Sequence, residues 1–285
     1  MAFLTKPKIS LITPSFNHAL YLEKTIQSIL NQAYPNLEYI IMDGGSRDGS
    51  LDIIRKYESK ISFWTSKPDK GPQDALHQGF SKATGEIMGW LNADDILWPG
   101  ALDNLAEIFS RFPDVHWISG RPSFIDHEDR LIDVGHVFYA HRLEYLCGGQ
   151  LLQQESTYWR RSLWEKSGGF IADTMAFDFE LWLRFFRHAR LYPLRTVIAG
   201  FRYRDSQISI KHAGEYEREM KRLIDIELKG DGMLRLKWLL WKPLRKIFRF
   251  SRILRLYEMA PYLKMGCPKA IYYDRKSKGF INPNQ

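Results

Sequence analysis

Through the first hundred residues the apolar positions alternate between two rhythms. KISLITPS, residues 8–15, is a short apolar run with the length and flanks of a buried strand. ALYLEKTIQSILNQA follows with a helical repeat that puts Leu22, Ile26, Ile29 and Leu30 on one face. The pairing recurs: NLEYIIMD predicts a strand and SLDIIRKYE a helix. ISFWTS is a further strand, followed by the loop SKPDKGPQ and the helical DALHQGFSKAT. EIMGWLN then predicts a strand, and PGALDNLAEIFSRF a helix opened by Pro99. Strands alternating with helices at this spacing require crossover connections, so the chain reads as α/β, a mainly parallel sheet with helices on both faces. Near residue 215 the pattern turns to basic helical sequence. That change divides the chain into a domain over residues 1–215 and a basic amphipathic helical extension over residues 216–285.

In a parallel sheet of this kind, ligands bind outside the carboxyl ends of the strands. Three loops fall there: TPSFN after the first strand, DGGSRDGS after the second, and NADD after the strand ending at Leu91. They are expected to converge on one crevice. In MDGGSRDGS, Asp43 ends a strand, Gly44 and Gly45 let the backbone approach a ligand, and Asp48 or Ser50 falls where a helix cap belongs. A plain capped strand-to-helix turn explains the same residues. In LNADD, Asp94 and Asp95 are adjacent carboxylates that repel each other and are costly to bury without a cation. They are hard oxygen ligands suited to Mg²⁺ or Mn²⁺ in company with substrate phosphates; the alternative is that one of them only caps the helix opening near Pro99. The glycine spacing matches neither the dinucleotide fingerprint nor a phosphate-wrapping loop with its Lys-Ser/Thr pair.

Composition narrows the classes. With 285 residues, 45% of them hydrophobic, the chain can bury one sizeable core and a smaller appended unit. No run reaches the roughly 18 apolar residues of a membrane span, and MAFLTKPK runs into a strand pattern, not a signal-peptide core. The expected location is therefore cytoplasmic. Cys147 and Cys267 are too few for a disulfide framework or a zinc site. Residues 1–200 hold 21 basic and 24 acidic side chains and residues 201–285 hold 20 and 9, so the whole basic excess is C-terminal, which argues against nucleic acid as a partner. MLRLKWLLWKPLRKIFRFSRILRLYEM, residues 233–259, carries eight basic residues and one acid. Past an expected break at Pro243, helical spacing gathers Arg245, Lys246, Arg249 and Arg252 on one side and Leu244, Ile247, Phe250 and Leu254 on another, with Ile253 and Leu256 out of place. Such interleaving suits a helix lying on an anionic membrane surface; a helix packed on the domain with a solvated basic face, or an oligomer contact, would use the same residues.

Taken in order, TPSFN, DGGSRDGS, KPDKGPQDALHQGF, GWLNADD and AFDFELWLRF resemble the family 2 glycosyltransferases over about residues 8–205. These are inverting enzymes with nucleotide-sugar donors and the GT-A fold, a Rossmann-like nucleotide-diphospho-sugar transferase architecture. The resemblance implies that Thr13, Pro14 and Ser15 line the nucleotide pocket beside Gly44, that Asp43 bonds the base, and that Asp69, Lys70 and Asp74 stand near nucleotide or sugar. In the carboxylate motif it implies a ribose contact at the first position, here Asn92 followed by Ala93, and a divalent cation at Asp94, with Asp95 as second choice. Asp178 takes the place of the catalytic base, with Phe177 where glutamate is usual; read from the residues alone, Asp178 equally starts a helix whose Leu181, Trp182 and Phe185 face a core. Arg204 stands where many relatives have a metal-binding histidine; an arginine cannot ligate a metal but can pair with diphosphate oxygens. GGQLLQQESTYWRRSLWEKSGGF resembles the acceptor-side segment, with Gln154, Glu155 and Trp159 as lining candidates, although aromatic residues also fill ordinary cores. The implied reaction moves a sugar from a nucleoside diphosphate to a hydroxyl of a glycan or polyprenol-linked acceptor. Cell-surface polysaccharide assembly, such as capsule, lipopolysaccharide or O-antigen, at the inner face of the plasma membrane would suit a surface-bound tail. Two other classes share these features: a binding protein that keeps the fold without catalysis, and a nucleotidyltransferase.

Overall fold

A computed structural model of the chain describes residues 6–147, 152–171, 173–203, 212–250 and 267–285, with the backbone alone over residues 244–250. The apolar run that opens the chain is β1 (Ile9–Ser15), and the amphipathic repeat after it is α1 (Ala19–Leu30). The alternation continues through β2 (Leu37–Asp43), α2 (Ser50–Tyr57), β3 (Phe63–Ser66), α3 (Pro72–Lys82), β4 (Ile87–Trp90), the two-residue β5 (Ile96–Leu97) and α4 (Ala101–Arg111). Beyond it come β6 (Trp117–Ser119), β7 (Ser123–Ile125), β8 (Leu131–Val134), α5 (Arg142–Tyr145), β9 (Thr157–Arg160), α6 (Arg161–Ser167), α7 (Phe177–His188), β10 (Leu191–Pro193) and β11 (Ala199–Arg202). Two long helices, α8 (Ala213–Gly230) and α9 (Gly232–Phe250), and the hairpin of β12 (Tyr272–Asp274) and β13 (Gly279–Ile281) complete the order.

The central sheet runs β10-β6-β9-β4-β1-β2-β3 and is parallel except for β9, which is antiparallel to both its neighbours. A second sheet, β5-β11-β7-β8, lies beside it. Alternation along each strand sends side chains to opposite faces. Ile9, Leu11, Tyr39, Ile41 and Ile87 join the core under α1, α2 and α4, whereas Ile12, Ile40, Met42, Met88 and Trp90 join the core under α3 and α7. That second core is rich in tryptophan. Trp90 and Trp182 stack with ring centroids 5.6 Å apart, and Trp159 meets Trp90 edge-on at 5.6 Å. Trp159 is fully buried there, so the acceptor-lining role expected for it is corrected to a packing one: its strand position in β9 points into the sheet's helix-covered face.

The register sets the ends of the strands level. Ser15 pairs with Asp43, and Asp43 with Ser66, so the loops after β1, β2 and β3 leave from one height.

The C-terminal segment closes both cores. Leu223 and Leu228 of α8 and Leu234 of α9 belong to the tryptophan core, while Ile271 and Phe280 belong to the other. Glu227, almost wholly buried, is shared between Arg142 of α5 and Arg187 of α7. The indole nitrogens of Trp238 and Trp241 donate to the Leu146 carbonyl at 3.2 Å and to Glu144 at 3.1 Å. Ile271 exchanges backbone hydrogen bonds with Pro193 and Arg195 at the edge of β10. The boundary expected at residues 215 and 216 falls inside α8, and α9 runs through Pro243 where a break was expected. Charge reports the outward faces of these helices, whereas their inward residues are as apolar as those of the domain they cover. Proline removes one helical hydrogen bond; just before it, α9 is held by the Trp238 and Trp241 anchors. Among the described residues no helix is long and apolar enough to cross a membrane.

Removing one partner of a buried ion pair leaves the others uncompensated. Glu227→Ala is expected to lower the unfolding free energy by about 2–4 kcal/mol, measured by urea titration of tryptophan fluorescence.

Candidate functional site

The loops after β1, β2 and β4 do converge, around a cavity of about 830 Å³. Pro14 and Ser15, Gly44, Asp69, Asn92, Ala93 and Asp94, Gln154 and Asp178 all line it. The wall is completed by residues that the motifs had not assigned to it: Phe16, His18 and Arg47 from the first two loops, Phe177 beside the carboxylate, Phe201 from β11, and His212 and Tyr216 at the start of α8.

Several expected ligand contacts are turned to structural use. Thr13 is fully buried one residue below the cavity, where its hydroxyl accepts from Tyr39 at 3.1 Å. Asp43, 2% exposed, spends its carboxylate on its own loop, accepting from the amides of Gly45 at 3.1 Å and Ser46 at 2.9 Å and from the hydroxyls of Ser46 and Ser66. It shapes the glycine turn from behind and does not stand on the cavity wall. Gly44 packs closely on Asp69: a Cβ there would lie 2.8 Å from its carboxylate, which would have to move. Lys70 and Asp74 are not on the wall either; Asp74 accepts from the Lys70 amide and from Gln78, both at 3.1 Å, and so steadies the turn into α3. Arg204 lies outside the described residues.

The adjacent carboxylates divide their work. Asp94 faces the cavity, whereas Asp95 is 1% exposed and turns inward. The cation behind them is Arg202, at the end of β11 and fully buried. Its amide donates to Asp95 Oδ1 at 2.9 Å, and its guanidinium donates to the Asp94 carbonyl at 2.6 Å, to the Asp126 carbonyl at 2.6 Å and to Asp129. The same guanidinium lies 4.5 Å over the ring of Tyr21. The Thr25 hydroxyl donates to the Asp95 carbonyl at 2.7 Å, so the turn is held from two sides. Nothing in the sequence marks Arg202 as buried: an arginine ending a strand is ordinarily solvated, and only the acid pair's need for a counter-charge could have pointed to it.

Burial drives the proton affinities. It pushes Asp95 well above the ordinary carboxylate range, the charges of Asp94 and Glu155 adding to the effect while Arg202 opposes it. Glu155, fully buried behind Gln154, is raised to about 8 by burial and by the charges of Asp94 and Asp178. It sits behind the cavity wall and does not line it, whereas Gln154, whose side-chain amide has no hydrogen-bond partner, does. Asp178 opens α7 and is also raised by burial, with hydrogen bonds from Tyr216 and the Phe179 amide pulling the other way.

The donor set can be tested against a divalent cation. Asp95 Oδ2 is buried without a hydrogen-bond partner, and Asp94 presents its carboxylate at the cavity. Among the described residues no three His, Cys, Asp or Glu side chains form a cage. The carboxylate that reaches the cavity is that of Asp94, and a Mg²⁺-like ion can take a single carboxylate and complete its shell with water and substrate phosphates.

The family described as Glycosyl transferase family 2 matches residues 10–173. An uncharacterised glycosyltransferase of Mycobacterium tuberculosis is 30% identical over 202 residues, 68% of this chain and 75% of the relative. An uncharacterised glycosyltransferase of Nostoc is 35% identical over 44% of this chain, which spans only 40% of that relative's length. A Campylobacter jejuni GalNAc(5)-diNAcBac-PP-undecaprenol beta-1,3-glucosyltransferase is 36% identical over 35% of this chain and 34% of its own. Among solved structures, Staphylococcus aureus TarS 1–349 in complex with UDP-GlcNAc shares the fold at a TM-score of 0.63 and 19% identity, covering 78% of this chain and 66% of that one. A Pyrobaculum calidifontis mannosyltransferase in complex with GDP-Man and Mn²⁺ does so at 0.58 and 20% identity, covering 92% and 82%.

A carboxyl that is protonated when folded and ionised when unfolded loses stability as pH climbs between its two pKa values. From 4.5, the ordinary value for glutamate, towards 8, the folded state's unfolding free energy is expected to fall, and Glu155→Gln to flatten that slope, in urea titrations between those limits.

Proposed function

The chain belongs to glycosyl transferase family 2, and on that premise we propose that it transfers a sugar, with inversion, from a nucleoside diphosphate donor to a hydroxyl of a glycan or polyprenol-linked acceptor. The observation that carries this reading is the single cavity shared by Gly44, Asp94 and Asp178. The nucleotide occupies the end bounded by Pro14, Ser15, Gly44 and Asp69, with Asn92 accepting from a ribose hydroxyl. Asp178 takes the proton of the acceptor hydroxyl as its oxygen bonds the anomeric carbon, and the bond to the diphosphate oxygen breaks on the opposite face with its electron pair. A carboxyl held above the ordinary range by burial is suited to that task near neutral pH. Mg²⁺ or Mn²⁺ held at Asp94 would neutralise charge on the departing diphosphate. Arg204 shares that stabilisation as a bidentate partner of diphosphate oxygens. Arg47, exposed at the cavity rim, draws the anionic donor in.

The acceptor class is supported by the company the chain keeps, a glucosyltransferase named for an undecaprenol-linked substrate and a putative teichuronic acid biosynthesis glycosyltransferase. It is supported too by α9, whose Met233, Leu236, Leu239 and Leu240 are 52–62% exposed, beside exposed Arg235, Lys237 and Lys242. We read that outward face as a peripheral contact with an anionic membrane, cytoplasmic in orientation; the face expected past Pro243, with Arg245, Lys246, Arg249 and Arg252 opposite Leu244, Ile247, Phe250 and Leu254, lies outside the residues whose side chains are described.

In a thermal-shift screen of UDP, GDP, dTDP and CMP with and without Mn²⁺, one nucleoside diphosphate raises the melting temperature. With its sugar nucleotide, the product carries the inverted anomer by NMR and Asp178→Asn lowers kcat by about 10²–10⁴-fold. Released pyrophosphate, or indifference to every nucleotide, overturns the reading. Leu236→Asp with Leu240→Asp is expected to reduce co-sedimentation with phosphatidylglycerol vesicles by roughly tenfold or more, with the melting temperature unchanged.

A further inference from the structure

The Asp178 carboxylate is asymmetric. Oδ1 accepts two hydrogen bonds, from the Phe179 amide and from the Tyr216 hydroxyl, each at 2.8 Å. Oδ2 receives no hydrogen bond among the described residues and belongs to a side chain on the cavity wall. The amide bond is local, a property of the start of α7. The Tyr216 bond is long-range: it comes from the first turn of α8, beyond the residues matched by the family and across the cavity rim. Tyr216 itself lines the cavity, and the packing of α8 through Leu223, Leu228 and Glu227 fixes where its ring stands.

A base must present a defined lone pair to the hydroxyl it deprotonates. A carboxylate free to rotate about its terminal bond samples both oxygens and many directions. Two donors on one oxygen remove that freedom. We infer that Tyr216 is a positioning residue for the Asp178 base, engaging Oδ1 so that Oδ2 alone receives the acceptor's proton, and that α8 is thereby part of the catalytic apparatus. This rests on Asp178 acting as the base. The phenol is a durable donor: burial and the Asp178 charge push its own ionisation far above the ordinary tyrosine range, so it keeps its proton. Its hydrogen bond also holds Asp178 lower than burial alone would set it. The other ionisable groups around Asp178 are Glu155 behind it, Tyr145 of α5, and Asp94 and His212 on the same cavity wall.

The test compares Tyr216→Phe, which keeps the ring, with 3,5-difluorotyrosine at position 216, a more acidic phenol of the same shape. Initial rates with the donor identified by thermal shift are followed against pH. Loss of the donor raises the Asp178 pKa, so the acid limb of the kcat profile moves up by roughly one pH unit in Tyr216→Phe, while the donor KM changes less than about twofold. The fluorinated phenol, a stronger donor, moves the same limb down. In an Asp178→Asn background, Tyr216→Phe costs no further residual activity, since the group it positions is gone. A wild-type pH profile in both Tyr216 variants overturns the inference while leaving the base intact. Full turnover by Asp178→Asn instead overturns the assignment of the base, and the inference with it.

Discussion

A guanidinium buried at the end of β11 sets the geometry on which the site depends. Desolvating a charge costs several kcal/mol unless every donor finds a partner in good geometry. Arg202 meets that condition through two carbonyls, the Asp129 carboxylate and the face of Tyr21, and its own amide takes Asp95. The partners come from the turn after β4, from the 126–129 turn and from α1, so one side chain ties three separate stretches of chain to the end of β11 in the second sheet. With Asp95 drawn inward, the turn has one orientation left for Asp94, which is outward into the cavity. The acid pair thus divides into an inward carboxylate held by the Arg202 amide and an outward one on the cavity wall, with the Arg202 charge opposing part of the cost of burying Asp95.

Most of the fold was legible in the sequence because it rests on periodicity. The early strands and helices match their apolar rhythms within a residue or two, and the level register of Ser15, Asp43 and Ser66 brings the loops together as strand order demands. What the pattern could not resolve was direction within a loop. Asp43 ends β2 and Asp94 lies in the turn beyond β4, yet the first faces its own loop, where Ser46 and Ser66 donate to it, and the second the cavity. Trp159 illustrates the same limit from the other side. An aromatic residue reads alike as a sugar platform or as core, and only the neighbouring rings of Trp90 and Trp182 decide. The C-terminal segment was harder still, since its basic composition records the solvent face and conceals the leucines and tryptophans turned inward.

The cavity gathers Asp94 and Asp178 with Glu155 close behind, and burial pushes Asp178 and Glu155 towards their neutral forms. Acids gathered and desolvated around one cavity are unfavourable to the folded protein. The tryptophan core beside them, from which Trp90 reaches the cavity wall, offsets that cost through buried apolar area.

The closure of both cores by the last described residues bears on how the polypeptide is made. Ile271 and Phe280 plug the face beneath α4, and Leu223, Leu228 and Leu234 complete the opposite one. Until these residues have been synthesised, the parts of both cores that they cover stay open to solvent. Nascent chains released early by a stop codon or a stalled ribosome would display those faces permanently, and so present themselves to chaperones and proteases as unfinished goods.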